Sequence, residues 1–167
     1  DTGAMLSHWL KDVASEQMDN DGIPPFVVPN ILDSDTGDKS WGKFPQAVWD
    51  DVIILLPWHL YRAFGNIDIL KRQYPSMQMW LERGVRRGAD GLWDPSFHQL
   101  GDWLDPSAPP DRPGEAKTDG TFVADAYLVH VTQLMHIISD ILGMKGEAAK
   151  YVLEHKKLKK AFGRKYI

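Results

Sequence analysis

The chain contains no cysteine among its 167 residues, which excludes disulfide bonds, thiolate metal sites and cysteine nucleophiles. It also lacks an apolar run approaching the roughly 20 residues that a membrane-spanning helix needs. Positive charge is outweighed by negative charge, because the chain has 19 Lys and Arg against 23 Asp and Glu, for a net charge of −4. These absences argue against a membrane and against a nucleic acid as the partner.

The short motifs of several enzyme classes are missing as well. There is no Gly-x-Ser-x-Gly turn to support a Ser/His/Asp triad, and no glycine-rich loop to bind phosphates. The histidines, including His130 and His136, do not show the i, i+4 spacing of a helical zinc site. We therefore predict neither a cofactor nor a metal, and nucleotide chemistry is disfavoured.

One acidic stretch resembles a calcium loop. Asp33, Asp35 and Asp38 lie among Ser, Thr and Gly, but the EF-hand spacing with its distal Glu is absent. A solvated acidic turn is the favoured interpretation.

The beginning of the sequence offers little about location. No basic stretch followed by an apolar core marks a secretory signal peptide, so the cellular location stays open. Asp1 is an unusual first residue, and we expect the sequence to begin inside a larger polypeptide.

Hydrophobic periodicity predicts five helices joined alternately by long and short connections. The predicted ranges are 2–18, 47–64, 67–87, a helix capped by Thr118 or Asp119 that runs through Leu142, and 147–162. Pro57 and Pro75 are expected to kink the second and third helices. Short turns impose antiparallel neighbours, so both long connections should emerge at one end of the array. Loops on a rigid scaffold commonly carry function.

The second long connection contains the sequence HQLGDWLDP at 98–106, in which Asp102 and Asp105 flank Trp103. An indole face can stack on a sugar ring while carboxylates accept hydrogen bonds from its hydroxyls. A surface turn anchored by a packed Trp is the alternative, and these nine residues alone favour it. The predicted meeting of the two long connections gives the sugar site equal weight.

Several blocks of the sequence occur in the order found in one enzyme family. The string WDDVIILLPW at 49–58 resembles a signature of the bacterial and fungal α-L-rhamnosidases of glycoside hydrolase family 78. Further collinear blocks are GIPP at 22–25, VPN at 28–30, GDWL at 101–104, KTD at 117–119 and ADAY at 124–127. The resemblance extends over nearly the whole chain.

This resemblance implies an all-α fold of antiparallel helical hairpins that forms part of a six-hairpin α/α barrel. Residues 1–167 would then be a single segment from the central part of a catalytic domain that removes terminal α-L-rhamnose with inversion. It further implies that Trp49 and Trp103 line the rhamnose pocket, where their apolar faces fit the C6 methyl group. Asp51 would bind sugar hydroxyls, with Asp102 as its companion, although Asp50 replaces the small residue common in the family.

The catalytic pair of that family has no match in this chain. An inverting glycosidase needs two carboxyl groups roughly 6.5–9.5 Å apart. The family's general acid lies in an upstream block containing Cys, and its general base follows in a later hairpin. We therefore predict sugar-pocket residues without catalytic residues, and an isolated chain that is inactive. Its partners would be a rhamnose-containing glycoside or polysaccharide, and either the rest of the barrel or a second copy covering exposed apolar helix faces.

Two other interpretations remain open. The chain could be a non-catalytic helical-array module that binds a carbohydrate or a partner protein, or part of a trehalase-like or glucoamylase-like six-hairpin enzyme. The Trp-x-Asp to Pro-Trp string disfavours the latter. Asp125, between Ala124 and Ala126, is predicted to be buried and hydrogen-bonded to a loop backbone.

Overall fold

The computed structural model of the protein describes residues 1–32 and 44–167. These residues form five α-helices: α1 Thr2–Asp19, α2 Val52–Phe64, α3 Ile67–Met79, α4 Gly120–Ile141 and α5 Lys145–Tyr166. Within the described ranges, extended pairing is limited to one isolated bridge between Arg87 and Trp93. The predicted all-α class is therefore confirmed. Asp33, Asp35 and Asp38 lie outside the described residues.

Two predicted helix boundaries differ from the structure for local reasons. The second helix was expected from residue 47 but begins at Val52, because Val48 has a φ of 73°, which an α-helix cannot accommodate. The third helix was expected to reach residue 87, but α3 passes into a π-helical turn over Trp80–Gly84 and ends there. Pro57 and Pro75 both lie inside helices.

The ends of the last two helices are also defined by local contacts. Asp119 caps α4, since its Oδ1 accepts a hydrogen bond of 2.8 Å from the backbone N–H of Phe122. The predicted cap is thus confirmed. The fifth helix is longer than the predicted 147–162, extending over Lys145–Tyr166. None of the helices in the described part of the chain is both long and apolar enough to cross a membrane.

Hydrogen bonds between helices establish their directions. His136 bonds to the carbonyl of Ala148 and His155 to that of Val129, each at 3.1 Å. The partner that comes earlier on α4, Val129, bonds to the partner that comes later on α5, His155. The two helices of this hairpin are therefore antiparallel.

Hydrogen bonds between α1 and α3 show that these two helices point in the same direction. Arg72 donates to Ser7 near the beginning of α1, and Gln17 donates to the carbonyl of Ser76 further along both helices. These two helices are parallel, as expected when the intervening α2 reverses direction. The predicted alternation therefore brings the two long connections to one end of the array.

A single apolar core joins all five helices. Its fully buried side chains include Leu10, Ile53, Leu70, Met77, Trp80, Trp93, Leu128, Met135 and Ile138. Burying each such side chain stabilises the fold by roughly 1.5–3 kcal/mol before entropy is counted. Other large apolar side chains are exposed on the outer helices, among them Met5 and Met18 on α1 and Leu153 on α5. Whether a second copy covers these side chains stays a prediction.

Candidate functional site

Two glutamines tie the connection before α2 to the connection before α4. Gln46 donates through Nε2 to the carbonyl of His98 and accepts from the backbone N–H of Leu100, both at 2.8 Å. Gln99 accepts from Ala47 N–H at 2.9 Å and donates to the carbonyl of Pro45 at 3.1 Å. We call this reciprocal arrangement of Gln46 and Gln99 the glutamine clasp. Both side chains are buried, so their satisfied amides fix the two loops against each other.

The loop on the α2 side of the clasp is a tight turn held by Asp51. Its Oδ2 accepts from the backbone N–H of Val48 at 2.7 Å, and its Oδ1 accepts from the indole N–H of Trp80 at 2.9 Å. Trp80 belongs to the π-helical turn and is fully buried. Asp51, only 2% exposed, therefore anchors the strained backbone of Val48 to the core.

Both carboxyl groups of this turn are buried, and burial changes how they ionise. Desolvation raises the pKa of Asp51 to about 6, despite the hydrogen bonds from Val48 and Trp80 that favour its charged form. Desolvation also raises the pKa of Asp50 well above its ordinary value, and the neighbouring charge of Asp51 raises it further. Asp50 Oδ2 accepts from Gln46 N–H at 2.7 Å.

Replacing Asp50 by asparagine should make the stability of the protein less dependent on pH. A folded-state pKa raised above 3.8 means that the folded protein holds its proton longer, so wild-type stability falls as pH rises through that pKa. The asparagine side chain keeps an acceptor for Gln46 without ionising. Urea unfolding should therefore show D50N gaining stability relative to wild type as the pH rises from about 5.

The matched control is Asp140→Asn. The side-chain hydrogen bond from Lys145 holds the pKa of the exposed Asp140 below its ordinary value, so this group is fully ionised over the same pH range. The effect of Asp140→Asn on the free energy of unfolding should therefore not change with pH. A pH-independent difference between D50N and wild type would contradict the assignment for Asp50.

The two predicted tryptophans lie directly beyond the clasp on each side. Trp49 is 36% exposed, and Trp103 is half-buried with its ring against Gly114. Each is adjacent to a non-glycine residue with positive φ, Val48 before Trp49 and Leu104 after Trp103. Strained backbone of this kind collects at functional sites, where surrounding contacts hold it.

The carboxylates around Trp103 differ in their surroundings. Asp102 is exposed. Asp105 accepts from the backbone N–H and hydroxyl of Ser107 and from Lys117 N–H, and these bonds lower its pKa to about 2. The carboxylate of Asp105 is therefore occupied by hydrogen bonds within its own loop, whereas the exposed carboxylate of Asp102 faces solvent.

The loop on the α4 side packs tightly against the first residue of that helix. Gly101 has a φ of 59°, and a Cβ there would lie 2.7 Å from the Cα of Gly120. A Cβ on Gly120 would in turn collide with the carbonyl oxygen of Gln99. Only glycine permits this approach, which places Asp102 and Trp103 at the beginning of α4.

A cavity of about 380 Å³ opens beside the clasp. Its walls are formed by Phe26, Phe44, Gln46, Ser96, Phe97, His98 and Leu100. None of the four predicted site residues lines this cavity, but Leu100 and Gln46 begin the segments that lead to Trp103 and Trp49. His98, the first residue of the HQLGDWLDP sequence, forms part of the wall.

Asp125 lies elsewhere and has a structural role. Its Oδ1 accepts from the backbone N–H of Trp93 at 2.8 Å, and its Oδ2 accepts from Lys165 Nζ at 2.9 Å and Tyr166 Oη at 2.8 Å. The predicted hydrogen bond from a buried Asp125 to a loop backbone is confirmed.

The sequence did not indicate the roles of Gln46, Gln99 and Trp80. The two glutamines lie in aperiodic connections, and their side chains bond to backbone groups 52 and 54 residues away along the chain. Trp80 lies inside the range 67–87 predicted for the third helix, and that range gives it no role beyond a place on a helix. A buried indole N–H usually finds a hydrogen-bond acceptor, which is the one available signal that Trp80 would bind a carboxylate.

Comparison with known families places these features in context. The sequence model for the bacterial α-L-rhamnosidase six-hairpin glycosidase domain matches residues 1–167. An α-L-rhamnosidase of Formosa agariphila is 30% identical over 92% of this chain and 15% of its own length. An α-L-rhamnosidase of Alteromonas sp. is 28% identical over 97% of this chain and 17% of its own length.

Solved structures agree with the sequence comparison. The native α-L-rhamnosidase of Aspergillus terreus superposes with a TM-score of 0.92 at 41% identity, over all of this chain and 18% of that one. The Streptomyces avermitilis α-L-rhamnosidase, complexed with L-rhamnose, superposes at 0.77 and 27% identity, over 97% of this chain and 14% of that one. The chain thus spans less than a fifth of the length of these relatives.

Proposed function

This chain belongs to the bacterial α-L-rhamnosidase six-hairpin glycosidase domain family, and we propose that it supplies one wall of a rhamnose pocket. The complete enzyme would remove terminal α-L-rhamnose from a glycoside or polysaccharide with inversion. In this proposal residues 1–167 are a single segment from the central part of the catalytic domain.

Trp49 and Trp103 provide the apolar surfaces of the proposed pocket. A deoxy sugar presents a C6 methyl group, which makes no hydrogen bonds and gains from contact with an indole face. The observation that carries the proposal is the glutamine clasp, which joins the two loops that bear these tryptophans. Rigid support of this kind keeps binding groups at fixed positions.

The two aspartates contribute in different ways. Asp102 is exposed and can accept hydrogen bonds from sugar hydroxyls. Asp51 is buried with both oxygens accepting hydrogen bonds from the protein, so its main effect on the sugar is to position Trp49. Any hydroxyl that reaches Asp51 would do so through the remaining acceptor capacity of its oxygens.

The acid and base of the reaction are proposed to lie outside this chain. Every glutamate in the sequence accepts a hydrogen bond or forms an ion pair with another described residue. These contacts are Glu16 with Asn30, Glu82 with Lys150 and Tyr151, Glu115 with Arg112, Glu147 with Gln78, and Glu154 with Arg87. Such pairing suits structural roles and supports an isolated chain that binds sugar without hydrolysing it.

Trp103→Ala should weaken the binding of L-rhamnose by about tenfold or more, since truncating a well-placed Trp costs on the order of 2 kcal/mol. Isothermal titration of the 167-residue chain measures the effect. Trp58→Ala is the matched control, because Trp58 is a half-buried Trp that packs on Tyr61 within α2. Equal affinities in the two variants would contradict the proposed pocket. Hydrolysis of p-nitrophenyl α-L-rhamnoside by the pure chain would contradict the absence of a catalytic pair.

A further inference from the structure

Trp80 is distant from Trp49 in the sequence but is joined to its turn through one carboxylate. The indole N–H of Trp80 donates to Asp51 Oδ1 at 2.9 Å. The other oxygen, Oδ2, accepts from the backbone N–H of Val48 at 2.7 Å. Val48 immediately precedes Trp49 and holds a φ of 73°. The carboxylate therefore fixes the backbone that carries the Trp49 side chain.

The indole of Trp80 is itself held in one position by its surroundings. The side chain is fully buried and packs against the ring of Trp93, with 6.0 Å between the ring centroids. Gly84 leaves room for it, since a Cβ there would lie 2.3 Å from Trp80 Cε3 and 2.7 Å from the carbonyl oxygen of Gly22. The indole N–H therefore reaches Asp51 from a closely packed base.

The helical turn that begins at Trp80 departs from α-helical geometry. The carbonyl of Trp80 accepts from the backbone N–H of Val85, five residues further on, at 2.9 Å. Single π-helical turns of this kind are frequent at functional sites. Trp80 has no exposed surface, so a sugar cannot touch it. Any effect of this turn on sugar binding must therefore pass through Asp51.

We propose that Trp80 is a positioning residue for the rhamnose pocket, acting through Asp51 to fix the indole of Trp49. The inference rests on the proposed rhamnose pocket and adds to it a buried residue that the sugar does not contact. An ionised Asp51 accepts from both Val48 and Trp80, whereas protonation converts one of its oxygens into a donor. Trp49 should therefore be held in place when Asp51 is ionised, and sugar binding should weaken when Asp51 is protonated.

The first test follows indole N–H signals of the wild-type chain by NMR as the pH is changed. Burial raises the pKa of Asp51 to about 6, so the signals of Trp80 and Trp49 should both move with a midpoint near that pH. The signal of Trp93 should move far less, because its indole nitrogen has no hydrogen-bond partner in the described structure. Repeating the titration with Asp50→Asn removes the neighbouring carboxyl that also titrates. A Trp49 signal that does not follow that of Trp80 would overturn the inference.

The second test is Trp80→Phe, which removes the N–H but keeps an aromatic ring in the core. Calorimetric titration with L-rhamnose should show binding about fivefold weaker at pH 7, the effect of losing one hydrogen bond. The hydrogen bond from Trp80 opposes the rise that burial causes in the pKa of Asp51. Without this bond, binding should weaken at a higher pH than in wild type. A role in core packing alone would lower stability without moving that pH.

Trp93→Phe is the matched control, because Trp93 is also fully buried but its indole N–H has no partner in the described part of the chain. It loses the same ring volume and should keep the wild-type pH dependence of binding. Wild-type binding by Trp80→Phe at every pH, or an equal shift in the two variants, would overturn the positioning role and leave the proposed function intact. Absence of L-rhamnose binding by the wild-type chain at every pH would overturn the proposed function itself. If Trp80→Phe does not fold, the wild-type NMR titration decides the inference alone.

Discussion

Replacing Gly120 by alanine is expected to lower the melting temperature by roughly 6–12 °C, because overpacking a close contact costs on the order of 3 kcal/mol. The new Cβ would collide with the carbonyl oxygen of Gln99 and lie 3.0 Å from its carbonyl carbon. Both are backbone atoms, so the loop must move as a whole. Displacing Gln99 breaks the clasp, and rhamnose binding should weaken together with stability. Thermal unfolding followed by circular dichroism measures the first effect and calorimetric titration the second.

Gly163→Ala is the matched control within the same protein. Gly163 lies inside α5, and a Cβ there meets nothing within 4 Å. Alanine should stabilise this helix by roughly 0.5–1 kcal/mol through its higher propensity. If Gly120→Ala also raised the melting temperature, the close packing of the clasp against α4 would be contradicted.

Asp125→Ala is expected to destabilise the protein by about 3 kcal/mol. Asp125 has no exposed surface, and its carboxylate accepts from Trp93 N–H, Lys165 and Tyr166. Alanine leaves the buried N–H of Trp93 without its acceptor and the ammonium group of Lys165 without its counter-ion. Lys165 is partly exposed and can be rehydrated. Most of the lost free energy of unfolding should therefore come from the buried N–H of Trp93. The free energy of unfolding in urea measures the loss.

Asp140→Ala on the same helix separates burial from charge. Asp140 also pairs with a lysine, Lys145, but both side chains are mostly exposed, and exposed pairs contribute little. We expect almost no change in its unfolding midpoint. Similar destabilisation by the two substitutions would show that Asp125 does not join α4 to the loop and to α5 as described.

The helices were predictable where a continuous apolar stripe determines the structure. The fourth helix and its cap at Asp119 followed from pattern and capping chemistry, and the burial of Asp125 followed from its alanine neighbours. The beginning of α2 was mispredicted because Val48 adopts a positive φ that its residue type disfavours. Bonds from Asp51 and contacts of the neighbouring loop impose that conformation, and neither is visible in a local window.

The candidate site was predictable only in part for a related reason. Collinear blocks indicated Trp49, Asp51, Asp102 and Trp103, whose roles in binding stay predictions. The loops that carry these residues are held together by Gln46 and Gln99, whose side chains bond to backbone groups of a distant connection. Periodicity carries no information about such pairs, because neither glutamine lies in a regular element. Burial likewise distinguishes Asp51 from Asp102 only once the fold is known.

The most direct test of the rhamnose pocket follows the indole N–H signals of the tryptophans by NMR during titration with L-rhamnose. Each of the seven tryptophans gives one such signal, which single Trp→Phe variants assign. The proposed pocket predicts that the signals of Trp49 and Trp103 shift with a common dissociation constant, while that of Trp58 does not. Shifts confined to Trp58 or to other tryptophans away from the clasp, or no shift at any rhamnose concentration, would contradict it.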